Sequence, residues 1–271
     1  MQNLYKFILR RPFFRGQDRL FNYFFINQKF KKQTIAVKPL EGNFKINCDC
    51  NTWIGGKIVY TGDYEPELKK IFKSIINPGD YILDVGANIG FHTLYFAQLT
   101  GGKGLVTAFE PIPDNYKSLN NNIQLNNFSN IITHNVALSN KKEQISIQVD
   151  LKSTNPGAYN LFELNGDVPI ECVVGDDIVD NQKVDFIKID VEGYESYVLD
   201  GLIETIKKNK PKIIFEFDQD YHRKTSRSED YILFLLASLG YQFQYINRDG
   251  LKTIESFKNL VSGNILALPN E

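Results

Sequence analysis

Tyr81-Ile82-Leu83-Asp84-Val85-Gly86-Ala87-Asn88-Ile89-Gly90 is an apolar run that enters a glycine loop and then a helical pattern. Glycines at 86 and 90 let backbone N–H groups approach a ligand closely. The next apolar run, Leu105–Phe109, ends in Glu110. A carboxylate at that place accepts hydrogen bonds from a ribose diol, so the two runs together describe a nucleoside pocket. Spacing narrows the nucleoside. A dinucleotide site needs G-x-G-x-x-G for its pyrophosphate, whereas position 88 here is Asn88 and no Walker lysine follows.

Asp84, two residues before the first glycine, repels phosphate and suits a ligand carrying an ammonium and a sulfonium. S-adenosylmethionine is such a ligand. Beyond the loop, strands and helices alternate. Strands are expected at Tyr81–Val85, Leu105–Phe109, Ile131–Val136, Val184–Ile189 and Lys212–Phe217, and helices at Glu65–Ile76, Gly90–Leu99, Pro113–Leu125, Tyr194–Lys207 and Ser228–Leu239. Such alternation means a mostly parallel sheet with helices on both faces, an α/β doubly wound fold. Ile145–Val149 and Val168–Val174 read as an inserted hairpin. Tyr241–Ile246 and Asn264–Leu268 read as a terminal antiparallel hairpin joined by a polar loop and helical turn. Upstream, Asn43–Cys50 and Lys57–Tyr60 alternate as strands around a Gly55-Gly56 turn.

Asp84-Val85-Gly86-Ala87-Asn88-Ile89-Gly90, Phe109-Glu110-Pro111, Asn135-Val136-Ala137-Leu138-Ser139 and Lys188-Ile189-Asp190-Val191-Glu192-Gly193-Tyr194-Glu195, in this order and at these separations, resemble the FkbM family of S-adenosylmethionine-dependent methyltransferases. The likeness extends from Gly62-Asp63-Tyr64-Glu65-Pro66-Glu67 to Pro211-Lys212-Ile213-Ile214-Phe215-Glu216. It implies a class I methyltransferase fold, Rossmann-like, with a seven-stranded sheet ending in an antiparallel hairpin. It also implies O-methylation, often of sugars or natural products. By the same resemblance Asn135, Val136 and Ala137 supply adenine contacts, and Tyr64 and Glu65 close over cofactor or acceptor. The plainer reading of Glu65 is an acid at a helix N-terminus, favoured by the macrodipole.

The chain has 271 residues, enough for one large α/β domain with embellishments. Residues 1–50 are expected to form an N-terminal helical extension and 51–271 the methyltransferase domain, with an insertion at about 140–180. No run approaches a transmembrane length, and no signal-peptide core opens the chain. Three cysteines, Cys48, Cys50 and Cys172, read as reduced thiols of a cytoplasmic protein. Net charge is −1 but unevenly placed: residues 1–38 hold nine Lys/Arg against Asp18, so they carry +8 and the rest −9. The same segment is rich in Phe and Tyr. It reads as a helical appendage docked on the acidic body, lining an acceptor cleft or making a homodimer contact. Attraction of an anionic acceptor and a membrane-surface helix are the competing readings. Absence of an N-P-P-Y-type signature weighs against a nucleic-acid acceptor.

In an open α/β sheet, ligands sit beyond the carboxyl ends of the strands. Asp84, Gly86, Asn88 and Gly90 are therefore placed on the methionine part of the cofactor and Glu110 on the ribose; the competing role for Glu110 is capping the helix that starts near Pro113. A sugar hydroxyl is a poor nucleophile near neutral pH and needs a general base, a metal ion or both. The fourth strand delivers Asp190 and Glu192 to the same edge, and the fifth Glu216 and Asp218. Asp190, Glu216 and Asp218 are candidate ligands for Mg²⁺ or Mn²⁺ through hard oxygens. Asp190, Glu192 and His222 are candidate catalytic groups, while His92 and His134 read as structural. Glu192 and Glu195 could instead cap the following helix. Lys188, inside an apolar strand, needs a carboxylate partner, with Asp190 and Glu216 as candidates. The expected acceptor is a carbohydrate or small molecule. A nicotinamide oxidoreductase and a non-catalytic cofactor-binding module are the alternatives from other classes.

Overall fold

The computed structural model describes residues 1–148, 166–179, 182–218, 227–228, 230–256 and 260–270. The glycine loop leaves the middle of an eight-stranded sheet. Its strands are β3 (Tyr81–Val85), β4 (Leu105–Phe109), β5 (Ile131–His134), β9 (Phe186–Ile189), β10 (Lys212–Phe217), β11 (Tyr241–Asn247), β12 (Gly250–Thr253) and β13 (Gly263–Pro269). Their order is β12-β11-β13-β10-β9-β3-β4-β5. β5, β4, β3, β9 and β10 run parallel, and β13 lies antiparallel to both β10 and β11. The winding reverses between β3 and β9, and such a switch point opens a crevice at the strand ends.

Period-two alternation splits the sheet's apolar residues between two faces. Ile82, Val106, Phe186 and Ile214 belong to one buried cluster, with α4 (Pro66–Ile75) and α5 (Phe91–Thr100) against them. Leu83, Ile187, Ile213 and Phe215 belong to the other, with α8 (Glu195–Gly201), α9 (Ile203–Asn209) and α10 (Tyr231–Ser238). Phe72 of α4 is fully buried edge-on to Phe96, with ring centroids 4.8 Å apart. Truncating such a ring to alanine costs about 3–5 kcal/mol.

Four expectations are corrected. Lys57–Tyr60 is not a strand but part of α3 (Trp53–Thr61), and Gly55-Gly56 lies inside that helix. Thr52 Oγ1 caps it by accepting from Gly55 N at 3.1 Å, and a Cβ on Gly55 would stand 2.2 Å from Asp49 O. Gly55 thus serves close packing rather than a turn. Second, the sheet has eight described strands, not seven, because Asn247 Oδ1 accepts from Asp249 N at 2.9 Å and turns β11 directly into β12. Third, Tyr194–Lys207 is two helices: Leu202 (φ −111°, ψ 16°) breaks the path between α8 and α9. Fourth, β5 stops at His134, and Ala137–Ser139 forms β6 of a separate sheet, order β6-β8-β7, with β7 (Glu143–Ile147) and β8 (Val168–Val174). β7 and β8 are the expected inserted hairpin; its connecting residues 149–165 lie outside the described set.

The N-terminal segment is not purely helical. α1 (Gln2–Leu9) and α2 (Gln17–Ile26) are followed by β1 (Thr34–Val37), which pairs antiparallel with β2 (Ile46–Asp49). Leu9, Phe21 and Phe30 are buried in the same cluster as α3, with Phe30 stacked on Tyr60 at 3.7 Å between centroids. All three cysteines are buried and free.

Candidate active site

Two adjoining clefts open at the switch point, of about 500 and 710 Å³ measured out to open solvent; Gly86, Glu110, Asp190 and Glu192 line both. The first is an apolar slot between Phe109, Ile112, Val136, Ala137 and Leu138. The second is polar, with Asp84, Asn88, His92 and Lys188 under the rings of Trp53 and Tyr64.

Gly86 holds the switch point together. Its φ is +86°, and a Cβ there would lie 1.8 Å from Asp190 O, so only glycine lets the β3 loop pass the β9 end this closely. Gly86 N and Ala87 N both donate to Phe109 O at 3.0 Å, and Asp190 N donates to Val85 O at 3.0 Å. Asn88 takes the left-handed region (φ 51°), and its N–H reaches Glu110 Oε2 at 2.8 Å. Glu110 Oε1 accepts from Ile112 N at 3.0 Å and from Asn115 Nδ2 at 3.5 Å. Burial pushes Glu110 up to about 7 against the opposing pull of these three donors.

Register explains the charges beneath. Asp84 and Lys188 are neighbours across β3 and β9. Asp84 Oδ2 accepts from Thr93 Oγ1 at 2.5 Å, while its buried Oδ1 has no partner among the described residues. Lys188, 2% exposed, donates to Asp190 Oδ2 at 2.9 Å. Burial would lower the ammonium's pKa, but Asp190, Asp84 and Glu65 together raise it. Burial likewise works to raise Asp190, and the Lys188 contact overrides it, so Asp190 is held below its ordinary value. Asp190 is the partner that the strand pattern required of Lys188.

Asp190, Glu192 and Glu216 each offer an oxygen, and these atoms lie within 4.8 Å of one another. Burial and the charges of Asp190 and Glu192 push Glu216 up to about 9. Such a cluster of hard oxygens fits a divalent cation. The expected ligand Asp218 is not in it: β10 ends at Phe217, so Asp218 has left the strand, and Glu192 takes its place. Glu192 turns inward from a left-handed residue (φ 52°). Glu195 instead braces that turn, its Oε1 accepting from Gly193 N at 3.1 Å and Val191 N at 3.3 Å; burial raises it to about 7.

Other site expectations divide. Gly90 is the N-cap of α5 behind the loop and lines neither cleft. Ala137 lines the apolar slot. Asn135 does not; its amide donates outward to Glu110 O at 2.8 Å and Pro111 O at 3.0 Å, bracing the loop. Glu65 precedes α4 with φ 47° and meets His92 Nε2 at 2.8 Å. His92, read as structural, lines the polar cleft, and its buried Nδ1 has no partner among the described residues. A lone imidazole in the largely apolar and aromatic run Phe91-His92-Thr93-Leu94-Tyr95-Phe96 was the sequence signal for it. His222 lies outside the described residues.

The donor set suits a nucleoside with a cationic tail. The apolar slot could hold a base, Glu110 at its edge could hold a diol, and the unpartnered Asp84 Oδ1 offers a buried acceptor on the acidic side. The sequence model of the Methyltransferase FkbM domain matches residues 84–243. The chain belongs to the FkbM methyltransferase family. It is therefore an S-adenosylmethionine-dependent methyltransferase. Among relatives of this FkbM chain, the hexuronic acid methyltransferase AglP of Haloferax volcanii is 28% identical over 188 residues, covering 68% of this chain and 74% of AglP. Methyltransferase 1 of Beauveria bassiana is 26% identical over 147 residues, covering 45% of this chain and 58% of its own. The crystal structure of an FkbM methyltransferase from Methylobacillus flagellatus has a TM-score of 0.47 at 22% identity, covering 78% of this chain and 52% of that one.

Proposed function

We propose that this FkbM enzyme methylates a hydroxyl oxygen of a sugar, glycan or related small molecule, held beside Asp190, Glu192 and Glu216. The carboxylate cluster, next to the cleft shared with Glu110, is the observation that carries the reading. The name of the Haloferax relative, a hexuronic acid methyltransferase, supports a carbohydrate acceptor.

When bound, S-adenosylmethionine supplies a methyl group on a sulfonium, which leaves as the C–S bond breaks and the C–O bond forms. The protein's part is orientation and proton handling. Glu110 would hold the ribose hydroxyls, and Val136 and Ala137 would hold the base. Asp84, with its unpartnered Oδ1, would hold the ammonium of the methionine part. Lys188 keeps Asp190 ionised and a weak base, so Asp190 accepts the hydroxyl's hydrogen bond and takes its proton as the new C–O bond makes that oxygen acidic. Glu216, pushed upward by its neighbours, is protonated at neutral pH and donates a hydrogen bond. A hydroxyl fits these groups better than an acceptor carboxylate, which the three acids would repel. A Mg²⁺ or Mn²⁺ ion, held by Asp190, Glu192 and a Glu216 that has given up its proton, would lower the hydroxyl's pKa.

The test is a screen of neutral and acidic sugars as acceptors, following S-adenosylhomocysteine release. Turnover of a sugar that falls at least about a hundredfold in Asp190→Asn, with cofactor binding retained, supports the reading. Unchanged turnover in that variant overturns it.

A further inference from the structure

We infer that the outward face of α1 and α2 docks on an anionic lipid bilayer, an interaction beyond the methyl transfer itself. Twelve large apolar side chains are exposed among the described residues, and six of them fall in the first 26: Met1, Leu4, Phe7, Phe13, Tyr23 and Ile26. The concentration is not an effect of poor folding there, because Leu9 and Phe21 on the opposite faces are fully buried. Leu4 and Phe7 share one side of α1 by their spacing, as do Tyr23 and Ile26 on α2. The Gln2 side chain ties α1 to the segment that follows α2, donating to Lys29 O at 3.0 Å and accepting from Lys31 N at 3.1 Å. The exposed apolar residues of α1 and the exposed cations that follow α2 are therefore carried by segments held against each other.

Charge selects the occupant. Asp18, the segment's single acid, is already paired with Lys57 and Arg248. Arg10 is turned inward, donating to Ile58 O and Val59 O at 3.0 Å each. Left exposed are Arg11, Arg15, Arg19, Lys29, Lys31 and Lys32, none with an acid partner among the described residues. A second copy of the chain would set two such cationic faces against each other. A nucleic acid would match the cations but leave Leu4, Phe7 and Ile26 without a counterpart. An anionic bilayer takes both, with apolar side chains at the headgroup boundary and cations toward the phosphates. No described helix is long and apolar enough to cross a membrane, so the contact is with the surface. Trp53 of the cleft wall donates to Asn22 Oδ1 on α2 at 3.1 Å, which places the active-site cleft one helix away from this face.

The experiment is co-sedimentation of the full chain with phosphatidylcholine vesicles, with and without phosphatidylglycerol. Binding is expected on the mixed vesicles only, and is expected to be lost in about 1 M salt, where screening shortens to about 3 Å. Each cation near the surface is worth about fivefold, so Arg15→Gln with Lys31→Gln should weaken binding about 25-fold. Phe7→Ser with Ile26→Ser should weaken it at least about tenfold. S-adenosylhomocysteine calorimetry on the same variants reports whether the fold is kept, and the charge variant changes no buried residue. Equal partition to both vesicle types, or none to either, overturns the inference. So does an RNA or DNA oligomer bound as tightly as the vesicles and indifferent to Phe7→Ser with Ile26→Ser. A dimer in sedimentation equilibrium that this same pair abolishes would assign the face to a second copy instead.

Discussion

Glu110 ties cofactor affinity to pH in a way that can be worked from its surroundings. Burial raises the group to about 7, even though Ile112, Asn88 and Asn115 all donate to it. A midpoint there leaves the carboxyl about 90% ionised at pH 8 and about 10% at pH 6. Only the ionised form accepts both ribose hydroxyls while keeping its two backbone donors. The dissociation constant of S-adenosylhomocysteine should therefore weaken about tenfold from pH 8 to pH 6. Glu110→Gln removes this dependence and weakens binding at pH 8. Asn88 N and Ile112 N bond to separate oxygens, so one of them would face the amide's NH₂. That unpaired N–H costs stability in free and bound enzyme alike, while exchanging a charged acceptor for a neutral one costs a ribose bond about 1 kcal/mol, or roughly fivefold in affinity. Isothermal calorimetry across this pH range measures both effects. Glu195 also stands at about 7, but it bonds only its own turn, so Glu195→Gln should keep the slope. An affinity independent of pH in the wild type, or an unchanged slope in Glu110→Gln, would refute the ribose role and the burial argument together.

Gly86→Ala should abolish S-adenosylhomocysteine binding and lower the melting temperature, because its Cβ meets backbone at 1.8 Å; Gly79→Ala, equally left-handed but in open space, should cost only about 1 kcal/mol. In Asp190→Asn, the buried Lys188 loses its counter-charge, and chemical denaturation should show a loss of about 3–5 kcal/mol. Lys188→Met with Asp190→Asn should recover most of that stability without recovering activity. Glu195 has a raised pKa in the folded state, so the stability it contributes is fully present below about 4.5 and is lost as pH rises through about 7. Glu195→Gln should therefore match the wild type near pH 5 and melt a few degrees higher at about pH 8, as calorimetric scans would show.

The strands that set the site were legible because each couples an apolar run to a turn residue. β3, β4 and β10 have the expected bounds, and the order of glycine loop, Glu110 and Asp190 fixed which strand ends meet. Lys188 was legible as a problem of burial, since an ammonium in a fully apolar strand must be neutralised. What escaped depends on contacts far apart in the chain. Gly55-Gly56 carries the same local signal in a turn as in a helix pressed against Asp49 O and Phe25. The Glu65–His92 pair spans 27 positions, and neither residue announces the other. Glu216 and Asp218 share a side in an extended strand, yet β10 ends between them, and termini are the least determined part of a strand. On the N-terminal segment, composition showed cations and aromatics but not that Asp18 is paired with Lys57 and Arg248 and that Arg10 turns inward, which decides what charge is left outside.

Transfer of an isotope-labelled methyl group from S-adenosylmethionine to a hexuronic-acid-containing glycan, with the product located by NMR, tests the central claim most directly. A base-stable methyl ether on a ring hydroxyl, lost in Asp190→Asn, is the predicted result. A base-labile methyl ester on the carboxyl, or transfer that survives Asp190→Asn, would contradict the assignment of the carboxylate cluster to an acceptor hydroxyl.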